Sequence, residues 1–193
     1  MRTTDEQGLV MRAATGDERA FRRIFDDHHG ALFRCAYRLT GSVDAAEDIA
    51  QECFLRLMRR PNYDDARGPL RQYLYGIVRN LVRQREQANG REVIWDDEIT
   101  DCALPAQPSL DTAASTELSA IVQAAISALP PLQREAIVLC ELEELSLGEA
   151  AAVVGADVGT VKSRLHRARE GLRRSLAPYR DHVRTASPKG TTP

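Results

Sequence analysis

Between Asp17 and Leu39 the apolar residues Phe21, Ile24, Phe25, Leu32, Cys35 and Leu39 fall on one helical stripe, and Asp17 stands where a side-chain oxygen would cap the helix start. His28 shares that stripe and reads as a hydrogen-bonded core histidine rather than a catalytic one. The pattern breaks at Gly41. It resumes at Asp44, with Glu47 three residues on as the second half of a capping box, and Ala46, Ile49, Ala50, Cys53, Phe54 and Leu57 as the buried face. That face leaves Asp44, Asp48, Gln51 and Glu52 together on an exposed polar ridge.

Pro61, Gly68 and Pro69 mark a loop over 61–69. A third helix over roughly 70–88 is expected to bury Leu70, Leu74, Ile77, Val78 and Leu81 and to expose Tyr75, Arg79, Asn80 and Arg83. Three helices of this kind can close a bundle. From 91 to 115 the helical period is lost, and Pro105, Pro108 and six acidic residues read as an acidic linker. The period returns from Thr116 to Leu129, and Pro130-Pro131 then breaks it and opens a helix to about Glu143. Ser146 and Glu149 form a capping box for a short alanine-rich helix, Gly155 ends it, and Asp157 caps a final helix from 158. A short helix, a glycine turn and a second helix make a helix-turn-helix. The expected architecture is all-α: a helical bundle over 8–90, a flexible linker over 91–115, a helix-turn-helix domain over 116–176, and a disordered tail over 177–193.

Charge changes this picture. The 193 residues carry a net charge of −2, yet base collects in 71–91 and 158–174 and acid in "REVIWDDEITDC". In the final helix Val158, Val161, Leu165, Ala168 and Leu172 are expected to face the core. Lys162, Ser163, His166 and Arg167 then point outward for base edges, and Arg164, Arg169, Arg173 and Arg174 toward phosphates. A merely solvated helix would mix its signs, but Glu170 is the one acidic residue between 158 and 175. Tyr73 and Tyr75, interleaved with Arg79, Asn80 and Arg83, suit unstacked bases on aromatic faces with arginines along the phosphates.

Other classes fit poorly. No apolar run nears the ~20 residues of a membrane span, and the N-terminus lacks a signal-peptide layout, so a cytoplasmic protein is expected. Cys35, Cys53, Cys102 and Cys140 are scattered without metal-ligand spacing and read as ordinary thiols. A Gly-rich phosphate loop and a nucleophile motif are lacking, so neither an enzyme nor a cofactor is expected. A free-standing helix-turn-helix regulator would ordinarily dimerise on a palindromic site, and the chain offers no heptad for that.

Three stretches together resemble the bacterial extracytoplasmic-function sigma factors of the sigma-70 family. "DAAEDIAQECFLRLMRR" is similar to the family's polymerase-binding helix, "RQYLYGIVRNLVRQRE" to its helix for the downstream promoter element, and "SLGEAAAVVGADVGTVKSRLHRAREGLRRS" to its helix-turn-helix for the upstream element. The resemblance implies a non-enzymatic subunit whose partners are core RNA polymerase and promoter DNA, double-stranded upstream and single-stranded downstream, with an anti-sigma factor as a candidate partner. Tyr73 stands where the family usually has tryptophan. Gly171, where a charged residue is common, costs about 1 kcal/mol of helix propensity against alanine near the helix end.

Overall fold

The computed structural model describes residues 5–88 and 114–179. Among them no strand occurs, and the elements are eight α-helices: α1 Glu6–Ala14, α2 Glu18–Thr40, α3 Val43–Arg59, α4 Leu70–Ala88, α5 Ala114–Ser127, α6 Pro131–Ile137, α7 Leu147–Val154 and α8 Val158–Leu176. Two short 3₁₀ turns lie at Asp65–Arg67 and Ala177–Tyr179, and α6 runs into one π turn, Val138–Leu142. The acidic linker falls almost wholly outside the described residues, as do Cys102 and the tail beyond 179.

Local chemistry sets most helix ends. Asp17 caps α2 by accepting from the N–H groups of Arg19 (3.0 Å) and Ala20 (3.1 Å), and Gly41 ends it with φ 71°. The α3 cap is Ser42, which accepts from Ala45 N at 3.3 Å. Asp44 lies instead inside the first turn, because the chain turns helical at once after Gly41 and reaches the serine hydroxyl first. Both halves of the Ser146/Glu149 box form, Gly155 adopts φ 66°, and Asp157 accepts from Thr160 N at 2.9 Å to start α8.

Ile24, Leu32, Cys35, Ala46, Cys53 and Leu57 join α2 and α3, and Leu70, Leu74 and Val78 add α4. Leu9, Val10 and Ala13 of α1, an element the apolar pattern did not announce, complete this bundle. The second unit packs Ile126, Ala136, Ile137, Ala150, Val161, Leu165 and Ala168 from α5 to α8. Val158 is a correction: at the first position of α8 its side chain is 47% exposed. Gly171 is explained, since a Cβ there would meet Leu129 Cδ2 at 2.8 Å. The glycine lets α8 pass close to the α5–α6 turn, and the helix continues to Leu176.

Candidate nucleic-acid interface

The two basic stretches have opposite surroundings. On α8, Lys162, Ser163, His166, Arg167 and Arg169 are exposed, while Val161, Leu165 and Ala168 hold the other side to the core. Arg167 donates to Ser163 Oγ at 3.1 Å, which aligns two of the expected base-reading side chains. Asp157 at the N-cap frees the first turn from further capping needs and leaves its outer face open. Arg169 bonds Glu141 and Arg173 bonds Glu170, both at the surface. Exposed pairs of this kind contribute little, about 0–1 kcal/mol, so exchange for phosphate is cheap. Arg164 departs from its outward assignment. It is half-buried, and its charge reaches Glu135 of its own unit and Arg83 of the first.

On α4 the expectation of exposure fails at two residues. Tyr75 is 0% exposed and Arg79 is 9% exposed. Arg79 Nε donates to Glu135 Oε1 of α6 at 2.9 Å, with both side chains almost fully covered. The Tyr75 hydroxyl donates to Glu143 Oε2 at 2.5 Å, Arg71 Nε donates to the same hydroxyl at 3.2 Å, and an Arg71 Nη2 bonds the Glu143 carbonyl oxygen. The Arg71 guanidinium also lies 5.3 Å from the Tyr75 ring centroid. Helix α4 is therefore covered twice, by its own bundle and by α6, the π turn and α7. Periodicity sees one buried face, and a second packing partner buries what periodicity leaves outside. Asn80 stays exposed, Arg83 and Tyr73 are half-buried, and Ile77, expected in the core, is half-buried too.

This junction is costly. Burial raises the pKa of Glu135, with Arg79 opposing, and raises that of Glu143, with Tyr75 and nearby arginines opposing. Glu135 Oε2 has no hydrogen-bond partner among the described residues, and an unsatisfied buried acceptor costs about 1–3 kcal/mol. Glu144, next to Glu143, holds φ 55°, a strained value for a residue with a Cβ. A second bridge, Arg134 to the carbonyls of Leu39 (3.0 Å), Ser127 (2.6 Å) and Leu129 (3.0 Å), ties α6 to the end of α2. Glu135 and Glu143 escaped sequence reasoning. The available signal was an acid set within the apolar run "EAIVLCELEEL", which demands a buried partner.

The loop 61–69 and α4 enclose a cavity of about 430 Å³, lined by Tyr63, Gln72, Tyr73 and Asn80 among others, with Ala152 and Val153 of α7 closing one side. The Tyr63 and Tyr73 ring centroids are 5.6 Å apart. Aromatic walls and amide groups together suit a planar, hydrogen-bonding guest.

The acidic ridge of α3 lies apart from α8 and borders the C-terminal part of α4. Asp48 and Gln51 are exposed and Glu52 is at the margin. Asp48 pairs with Arg85 at 3.2 Å and Glu52 with Arg56 at 3.1 Å. Leu55, one turn on, is 48% exposed and gives the ridge an apolar anchor absent from the sequence reading. His28 is half-buried, and burial lowers its pKa. Cys35 and Cys53 are buried and Cys140 is half-buried, all as free thiols. Among the described residues no cluster of His, Cys, Asp and Glu could hold a metal, and no helix is long and apolar enough to cross a membrane.

Comparison with known proteins covers both units. Residues 24–92 match the family model "Sigma-70 region 2", and residues 119–172 match "Sigma-70, region 4". The ECF RNA polymerase sigma factor SigE of Mycolicibacterium smegmatis is 36% identical over 179 residues, 89% of this chain and 68% of that protein. SigW of Bacillus subtilis, also an ECF RNA polymerase sigma factor, is 34% identical over 180 residues, 86% of this chain and 94% of that one. Among solved structures, the sigma factor RpoE in complex with the anti-sigma factor NepR from Bartonella quintana superimposes with TM-score 0.64 at 28% identity, covering 81% of this chain and 96% of that chain. CnrH in complex with the cytosolic domain of CnrY gives TM-score 0.66 at 25% identity, covering 90% and 97%.

Proposed function

The chain belongs to the extracytoplasmic-function group of the sigma-70 family, and from that premise we propose how its surfaces divide the work of a sigma factor. It acts in transcription initiation, binding core RNA polymerase and promoter DNA. The upstream element is read as duplex by Lys162, Ser163, His166 and Arg167, with Arg169 on phosphates. The observation that carries this is the open, one-signed face of a capped recognition helix whose other side is core.

The downstream element is taken as a single strand along Tyr73, Asn80 and Arg83 and the cavity above them, with Tyr75 and Arg79 joining once α6 and α7 withdraw. Bases stack on the tyrosines, Asn80 offers a donor and an acceptor, and arginines track the phosphates. Asp48, Gln51 and Glu52 engage core polymerase. The protein performs no catalytic chemistry of its own, works in the cytoplasm, and offers the same surfaces to an anti-sigma factor.

Run-off transcription with core polymerase, with and without this protein, tests the reading. Promoter-dependent starts are expected only with it. Arg79→Ala combined with Asn80→Ala should leave upstream duplex binding nearly unchanged and reduce permanganate-detected strand opening. Wild-type opening with collapsed upstream binding would mean that the two DNA roles sit on the opposite units.

A further inference from the structure

Helix α1 lies outside the region-2 match, which begins at residue 24, and no role in promoter binding has yet fallen to it. One of its side chains nevertheless reaches the strand-capturing loop. Glu6 Oε2 accepts from the Tyr63 hydroxyl at 2.7 Å and from Leu70 N at 2.8 Å. Leu70 opens α4 directly after Pro69, and the first N–H groups of a helix have no partner within it. Glu6 supplies that partner from 64 residues away in the chain.

Tyr63 is 3% exposed, and its hydroxyl also lies 3.0 Å from the Gly68 carbonyl oxygen. Gly68 holds φ 131°, and a Cβ there would meet Gln72 Oε1 at 2.8 Å, so the loop closes through a backbone that a side chain would strain. Tyr63, Gly68 and Gln72 all line the cavity beside Tyr73 and Asn80. A single carboxylate oxygen thus pins the loop at Tyr63 and the helix at Leu70, on either side of the Gly68 turn. Burial, and after it the bond to Glu6, raise the Tyr63 phenol above its ordinary pKa, in keeping with a hydroxyl held as a donor.

We propose that Glu6 is a positioning residue for downstream-strand capture: by fixing Tyr63 and the first turn of α4, it sets the cavity to hold one unstacked base of the non-template strand. This rests on the reading of loop 61–69 and α4 given above. Glu6 touches no DNA itself. Its removal lets the Tyr63 ring and the α4 start drift, so the base loses its aromatic wall while backbone contacts along α4 persist.

The test uses holoenzyme and fork-junction DNA from a promoter that supports run-off transcription, with single abasic substitutions placed in turn along the single-stranded non-template downstream element. With wild-type protein one position should show a loss of roughly tenfold, the scale of one stacked base. Glu6→Ala should shrink that loss to within about twofold while core affinity and the upstream footprint hold. Glu6→Gln, which keeps an oxygen acceptor, should restore it. A tenfold loss persisting in Glu6→Ala, or equal weakening on intact and abasic forks, overturns the proposal and leaves Glu6 a structural brace only. If Glu6→Ala fails to fold, Tyr63→Phe, which removes the bond and keeps the ring, must reduce the loss, and wild-type behaviour there overturns the proposal equally. Should wild-type protein show no sensitive position at all, the cavity reading beneath the proposal falls.

Discussion

Helices α4 and α8 have the same length, 19 residues, and both carry arginines proposed to contact DNA, yet one is buried on two sides and the other on one. The difference comes from what packs against them. Helix α8 meets its own unit along Val161, Leu165 and Ala168 and leaves a cationic face in solvent. Helix α4 meets its own bundle through Leu70, Leu74 and Val78 and the second unit through Tyr75 and Arg79, whose partners are Glu143 and Glu135. A carboxylate on a buried arginine occupies the place a phosphate would take. In this arrangement the face proposed for the upstream element is open, and the face proposed for the downstream element is neutralised and covered.

The largest effect should come from breaking the cover. Glu135→Ala leaves Arg79 buried without its counter-charge, which typically costs about 3–5 kcal/mol, and separation of the two units relieves it. Small-angle scattering should show a larger radius of gyration with helical circular dichroism preserved. Unchanged dimensions would mean that the pair does not hold the units together. Arg167→Ala addresses the open side. It should cost about 1–3 kcal/mol on a matched upstream element and much less on a scrambled one if Arg167 reads a base. Equal losses on both would assign it to phosphate, and footprinting decides.

The acidic ridge sets a control on both helices, since it belongs to neither. Asp48→Arg trades an exposed pair with Arg85 for repulsion, so fold stability should move by only about 0.5 kcal/mol while affinity for core polymerase falls. Co-purification with core at wild-type affinity would remove Asp48 from that interface.

The smallest effect is a pH dependence of the cover. Glu135 faces Arg79, Arg83 and Arg164, and Glu143 faces Tyr75, Arg71, Arg34 and Arg38, yet burial outweighs these and raises both carboxyls above the ordinary 4.5. The covered arrangement then binds protons more tightly than the open one. That contribution is complete below the ordinary value and is lost as pH rises through the raised values. Acidifying from neutral pH toward 4.5 should therefore compact the molecule slightly, and expansion over that range would contradict the burial argument.

How far the sequence disclosed this comparison depended on whether a feature was local. Asp17, the Ser146/Glu149 box, Gly155 and Asp157 act within four residues of their partners, and all stand where the pattern placed them. Most of the outward face of α8 was equally legible, because one stripe of apolar residues fixes its opposite, but Val158 at the helix start is exposed and Arg164 is half-buried. Tyr75 and Arg79 were misplaced because their partners lie 68 and 56 residues away, on another unit. Glu6 was missed for the same reason. Its bonds to Tyr63 and Leu70 cross 57 and 64 residues. Asp44 lost the α3 cap to Ser42 by two positions, a boundary error that hydroxyl and carboxylate caps so close together invite.

The contrast between an open α8 and a covered α4 is tested most directly by measuring how the free protein binds two DNAs, duplex upstream element and single-stranded non-template downstream element, with and without Glu135→Ala and Glu143→Ala combined. The wild-type chain should bind the duplex and hold the single strand poorly, and the double variant should gain roughly tenfold on the single strand with duplex affinity unchanged, the gain matching about 1.4 kcal/mol of cover removed. Identical single-strand affinity in the two proteins would contradict the account, because α4 would then be either open already or no site for the strand.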